Sequence, residues 1–201
     1  PIKKTIAILF SPLFSLIDKL IARSYDQIFC NSKFTSDFIT QIYKQKSIVI
    51  YPGVDTSKLK PVDLTLKKNF ILSVGRLTKF KNFDILIHAF SKIKDTKIKL
   101  YIVGNGEEKG NLISQIKKYD LSKRISIKTK VDDKKLLDYF SKAKLFVLCS
   151  KNEPFGIVPI EAMAAGTPVI VDDSGGLKET VLNNRTGKII DLNEDSLAKT
   201  L

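Results

Sequence analysis

Apolar residues along this chain fall into two alternating kinds of run. Short, nearly continuous ones occupy residues 70–74, 98–103, 125–128, 145–148, 169–171 and 188–190. Between them, residues 84–93, 108–118, 134–141, 157–165 and 177–182 carry apolar positions at helical spacing. A strand such as Leu145-Phe146-Val147-Leu148 leaves no polar face, so both of its sides must be covered. The pattern therefore predicts an α/β fold: a Rossmann-like, doubly wound parallel sheet of six strands alternating with five helices. In such a sheet ligands bind outside the carboxyl ends of the strands, so the loops after Val74, Val103, Leu148 and Val171 are expected to converge. Upstream, 27–31 and 47–51 read as short strands around an amphipathic helix at 34–43, the signature of a partial second α/β domain.

Residues 52–61 begin and end with proline and lack periodicity, which marks an interdomain connection with its boundary near residue 55. The expected division is 1–54, a linker over 55–68, and a main domain over 69–201. The start at Pro1, and the uncapped helix-like stretch 195–199 just before Leu201, suggest a piece cut from a longer protein.

Thirty-four basic and twenty-one acidic residues give a net charge of +13. The excess is mostly lysine and spread through every segment, without arginine clusters interleaved with aromatics. A solvated basic surface accounts for it, and no nucleic-acid partner is expected. The apolar run 6–17 is shorter than the roughly 20 residues a membrane span needs. It reads as a buried helix of a truncated domain; the alternative is an interfacial helix presenting Leu13, Phe14, Leu16 and Ile17 to anionic lipid at the membrane periphery. Lys3-Lys4 ahead of that run imitates a secretory signal, but no convincing small-residue cleavage pattern follows. The only cysteines, Cys30 and Cys149, lie in or beside apolar runs, which indicates neither a disulfide framework nor a thiolate metal site and suits a reducing cytoplasm.

Three loops carry candidate chemistry. After strand 70–74, Gly75 makes a tight turn and Arg76 and Lys81 place two cations at a strand's carboxyl end, suited to a diphosphate: a bidentate fork and a point charge. An ordinary solvated basic loop would read the same. After strand 98–103, Gly104 and Gly106 permit close approach of a ligand or of another loop. The richest segment runs from Glu153 to Ile170. Gly156 precedes a helix, Pro159 fits only its first turn, and Gly166 ends it as a left-handed cap before Pro168. Free backbone N–H groups at Gly156, Ile157 and Val158 then form an anion site at the helix start. Glu153 before the helix and Glu161 one turn inside it would repel phosphate but bind hydroxyls, such as those of a sugar and a ribose.

Glu153 through Glu161 resembles the two-glutamate, seven-spacer signature of retaining GT-B glycosyltransferases, particularly family 4, the group 1 glycosyl transferases. Gly75-Arg76 with Lys81, Gly175-Gly176-Leu177-Lys178-Glu179-Thr180-Val181, and Thr186-Gly187 are similar to further blocks of that family, in the same order. Tyr51-Pro52-Gly53-Val54-Asp55 resembles its interdomain connection, whose usual first residues are Asn-Gly. The resemblance implies that 1–54 is the tail of an acceptor domain and 69–201 most of a nucleotide-sugar-binding domain. It implies that Arg76 and Lys81 hold the donor diphosphate, that Glu153 contacts the transferred sugar, and that Glu161 binds ribose. Gly75, Gly104 and the backbone at Phe155, Gly156, Ile157 and Val158 complete the donor site.

By the same resemblance the partners are a nucleotide diphosphate sugar and a glycan or lipid acceptor. The reaction is hexosyl transfer with retention, using no cofactor and no bound metal, with further catalytic groups in an acceptor domain. His88, the only histidine, falls on a predicted helix and is expected to be structural. Three other readings remain at this point. A glycoside hydrolase could use paired glutamates, and a nucleotide-sugar-sensing or membrane-docking module could keep the fold without transfer. An NAD-binding Rossmann domain lacks its Gly-x-Gly-x-x-Gly after the first strand of the main domain.

Overall fold

A computed structural model describes residues 2–201, with side chains from Ser11 onward. The Lys3-Lys4 side chains and the first half of the apolar run 6–17 thus lie outside the described side chains. The chain divides into two compact units, Pro1–Pro52 and Gly53–Leu201.

The first unit holds helix α1 (Ile2–Arg23), strand β1 (Phe29–Cys30), helix α2 (Lys33–Tyr43) and strand β2 (Ile48–Val49), with β1 and β2 paired in parallel. Ser32 caps α2 by accepting from the Thr35 N–H, and Lys44 closes it in the left-handed region. Helix α1 runs through Pro12 and is longer than the apolar stretch that predicts it. Its described apolar side chains are not buried: Leu13, Phe14, Leu16, Ile17, Leu20 and Ile21 are all exposed. Within this unit α1 meets α2, where the Tyr43 hydroxyl donates to Asp18 at 2.7 Å. No helix among the described residues is long and apolar enough to cross a membrane.

The second unit is built on a six-stranded sheet. Its strands are β3 (Lys68–Val74), β4 (Lys99–Val103), β5 (Ile125–Lys128), β6 (Ala143–Leu148), β7 (Val169–Asp172) and β8 (Gly187–Ile190). Every neighbouring pair is parallel, and the order is β5-β4-β3-β6-β7-β8. The helices are α3 (Phe83–Ser91), α4 (Lys109–Lys118), α5 (Asp133–Lys142), α6 (Ile157–Ala164), α7 (Leu177–Thr180) and α8 (Glu194–Thr200).

Strand alternation sorts the buried side chains into two cores. Ile71, Leu100, Ile102, Val147 and Ile170 pack with α3, α4 and α8; Phe70, Leu72, Phe146, Leu148 and Val171 pack with α5, α6 and α7. The sheet is therefore covered on both faces, as its apolar strands require. The Asp195–Lys199 stretch belongs to α8, whose start Asn193 caps by accepting from the Asp195 and Ser196 N–H groups. Residues 55–68, expected as a linker, pack onto this unit: Leu59 is buried in the α5 side core, and Lys67 donates to Thr167 at 2.6 Å.

Strand order reverses at β3, which pairs with β4 on one side and β6 on the other. Ser73, buried between them, donates its hydroxyl to the Val147 carbonyl at 2.7 Å. On the β4 side, the Gly75 N–H reaches the Val103 carbonyl and the Leu77 N–H reaches that of Asn105. This leaves no space at Gly104, where an added Cβ would stand 1.9 Å from the Gly75 oxygen. Gly104→Ala should accordingly lower stability by about 1–3 kcal/mol or more, read as a shift in the urea midpoint. Gly110→Ala, in the first turn of α4 with no atom within 4 Å of the new methyl, should raise it by about 0.5–1 kcal/mol.

Candidate functional site

The crevice between the carboxyl ends of β3 and β6 is bounded by residues 75–82 on one side and 149–156 on the other. The first loop leaves β3 through Gly75, Arg76 and Leu77, the last of which is fully buried. It then folds into a short 3₁₀ turn over Lys79–Lys81. Asn82 ends that turn in the left-handed region (φ 48°), and its side-chain amide donates to the Cys149 carbonyl at 2.9 Å. The two loops are thereby pinned to each other.

Across this pin lies the central contact. Lys81 Nζ stands 2.6 Å from Glu153 Oε2, with both side chains about four-fifths covered (24% and 20% exposed). The structure thus joins two of the residues singled out in the sequence and separated by 72 positions. Arg76 is exposed at the mouth and forms no ion pair among the described residues. Phe80, between the two lysines of the turn, is 85% exposed.

Glu153 is held from behind. The Gly176 N–H donates to its carbonyl at 2.8 Å, and an added Cβ at Gly175 would meet that oxygen at 2.4 Å. The Asn152 N–H donates to Ser174, whose hydroxyl donates in turn to the buried Asp172. Asp172 also accepts from the Leu192 N–H at 2.9 Å. The loop after β7 is therefore a clamp on the loop after β6.

Helix α6 starts where its punctuation places it. Gly156 is the N-cap at φ 87° and offers no capping side chain. A Cβ there would lie 2.4 Å from Leu177, so the helix start is pressed onto α7. Phe155 is buried beneath it, Ile157 is 37% exposed, and Val158 packs on the α5 side core. The N–H groups of a helix's first turn have no intrahelical acceptor, so this start can donate to an anion. Gly166 closes the helix at φ 72°.

Glu161 lies one turn deeper and does not share the Lys81 contact. It lines a cavity of about 280 Å³ with Asp55, Lys58, Leu59, Leu136 and Phe140. Burial pushes its carboxyl above the ordinary range. At Gly104 the close neighbour is the Gly75 backbone.

Two other expected features take their places. His88, on α3, sets Nδ1 against Glu194 of α8 and stacks on Tyr119 with centroids 5.5 Å apart, a packing role away from the crevice. Cys30 and Cys149 are both free and buried, and burial in the core pushes the Cys149 thiol up. No group of three or more metal-ligating side chains occurs among the described residues. Asn82, Ser174 and Asp172 escape a reading of the sequence because these bonds reach partners 20 to 67 positions away. The Gly175-Gly176 pair after a strand is the one visible signal of that clamp.

The chain is 32% identical to mannosylfructose-phosphate synthase of Agrobacterium fabrum, over 83% of the chain and 42% of the relative. It is 33% identical, over 93% of the chain and 54% of the relative, to N-acetylgalactosamine-N,N'-diacetylbacillosaminyl-diphospho-undecaprenol 4-alpha-N-acetylgalactosaminyltransferase of Campylobacter jejuni. Among solved structures, sucrose-phosphate synthase of Thermosynechococcus elongatus superposes with a TM-score of 0.83 at 28% identity, covering 92% of this chain and 50% of that one. The chain spans about half the length of the relatives it matches. The profile described as "Glycosyl transferases group 1" matches residues 54–201, a span that begins beside the boundary of the second unit and includes the whole crevice. With the crevice, the GT-B-type sheet and these relatives in agreement, the chain belongs to the group 1 glycosyl transferase family.

Proposed function

We propose that this chain is the donor-binding part of a retaining, family 4 type glycosyltransferase that moves a hexosyl group from a nucleotide diphosphate sugar to a glycan or lipid acceptor. The observation that carries the reading is the Lys81–Glu153 pair at the sheet's switch point, beside the unpaired Arg76 and the start of α6. Departure of a nucleoside diphosphate builds negative charge on its phosphates. Arg76, Lys81 and the first-turn N–H groups of α6 meet that charge with fixed dipoles and cations, the kind of preorganised stabilisation that accelerates such steps most. Glu153, in contact with Lys81 before the donor arrives, then turns its carboxylate to the hydroxyls of the transferred sugar. Glu161 takes the ribose hydroxyls in its half-buried position.

The rest of the assignment follows from this centre. Residues 69–201 form the donor domain, 55–68 the connection, and 1–54 the end of an acceptor domain. The exposed apolar face of α1, together with exposed Phe29, Ile48 and Ile50, is surface that the rest of such a domain would cover. Two free, buried cysteines suit a cytoplasmic setting.

Calorimetric titration with UDP, GDP and ADP tests the reading directly. One nucleotide should bind saturably, and both Lys81→Ala and Glu161→Ala should weaken it; a folded protein that binds none of the three would overturn the assignment. In the intact enzyme, Lys81→Ala should lower turnover about 30- to 1000-fold, equivalent to roughly 2–4 kcal/mol, and an unchanged kcat would remove Lys81 from the chemistry.

Glu161 supplies a pH test. Because burial raises its folded pKa, its contribution to stability is fully present below the ordinary carboxylate range and is lost as pH rises through the raised value. A ribose hydroxyl donating to the carboxylate favours the charged form and offsets that loss. Nucleotide affinity should therefore increase as pH rises through this window, and Glu161→Gln should flatten the dependence when affinity is measured across it.

A further inference from the structure

The second unit holds another concavity, outside the crevice, on the face of the sheet that α5 covers. It lies against β3 and β4 and encloses about 390 Å³, a size suited to a small ligand. Lys68 opens β3, Lys97 and Lys99 precede and open β4, and Lys135 and Lys142 stand about two turns apart on α5. Lys68 is six residues from Val74, so this end of the strand is about 20 Å from the crevice loops.

The floor is aromatic. Phe70 and Tyr101 stack with centroids 4.7 Å apart, and Tyr139 stands 5.6 Å from Tyr101 and 6.0 Å from Phe70. Five lysines among ten lining residues exceed the chain's average, which would place about two cations there. The single lining carboxylate does not neutralise them: Asp138 is engaged by Lys142 and, at 3.4 Å, by Lys135. The Lys142 hydrogen bond, with help from Lys135, holds its carboxyl below the usual range. Lys68, Lys97 and Lys99 form no ion pair among the described residues.

Like charges around one concavity raise each other's energy and focus a positive potential into it. An anion inside relieves that repulsion. The volume admits one ring with its substituents rather than a polymer strand; Phe70 and Lys128 cover the Tyr101 ring and Lys128 and Lys135 stand over Tyr139, so the two tyrosines offer a ligand their edges and hydroxyls and add a further cation, Lys128, beside the cavity. We propose that this cavity binds a small phosphate ester of a ring compound, with the phosphate among Lys68, Lys97 and Lys99 and the ring's hydroxyls against the edges and hydroxyls of Tyr101 and Tyr139. The proposal is independent of the donor site and stands or falls separately from it.

Glucose 6-phosphate is a suitable probe, titrated calorimetrically into the protein, the Lys68→Gln/Lys99→Gln double variant and Lys81→Ala. Both lysines of the double variant are exposed and unpaired, so folding should persist, which circular dichroism checks. Binding should be weakened about tenfold or more in the double variant, for the loss of two charged contacts, and be unchanged by Lys81→Ala. Absence of binding to the folded parent protein would overturn the proposal, as would binding that responds to Lys81→Ala and not to the double variant. A flotation assay with phosphatidylglycerol vesicles separates the source of the phosphate. Vesicle attachment that the double variant loses, without any binding of the soluble ester, would assign the lysines to a lipid surface and overturn the small-ligand assignment.

Discussion

The second unit depends on the pairing of β3 with β6. These strands begin 75 positions apart in the chain, and the register Ile71↔Leu145 and Leu72↔Phe146 brings their carboxyl ends together. Without that pairing the sheet would be two three-stranded fragments, and residues 75–82 and 149–156 would not meet. Its bonds are of ordinary strength; its effect comes from topology. One strand serves two neighbours whose crossovers leave on opposite faces, so the loops at the reversal diverge and open a cleft. The Ser73 hydroxyl on the Val147 carbonyl and the Asn82 amide on the Cys149 carbonyl fix the height of one loop against the other.

Within that frame the Lys81–Glu153 pair has a particular electrostatic character. A fully exposed pair contributes about 0–1 kcal/mol, and a fully buried one loses to desolvation much of what it gains by attraction. With each side chain about four-fifths covered, this pair lies between the limits: each group has given up part of its hydration and relies on the other. Removing one partner strands the other charge in a partly dry cleft, whereas exchanging the carboxylate for a phosphate does not.

Much of this was legible in the sequence because it is local. Continuous apolar strands, helical spacing between them, and the glycine and proline marks around α6 each record a constraint within a few residues. Element positions accordingly agree to within one or two residues for most of the sheet. The first unit shows where locality fails: the apolar stretch in α1 predicts a buried face, but burial is a property of what packs against the helix, and here the described side chains of that face are exposed. The same holds for Gly104. Its sequence permits close approach by a ligand or a loop, and only the three-dimensional path of β3 shows that the neighbour is the Gly75 backbone.

Charge is the quantity that composition describes least well. A net charge of +13 spread along the chain suggests a uniform solvated surface. Folding redistributes it, because parallel strands bring side chains from distant segments into register: Phe70 opposite Lys99 and Leu72 opposite Tyr101 set two lysine-bearing strand starts side by side over an aromatic floor. At the other end of the same strands one lysine is matched with a carboxylate and one arginine is left open. Diffuse sequence charge thus becomes two separate fields at opposite ends of β3, one with its lysine matched to a carboxylate and the other with three lysines that form no ion pair among the described residues.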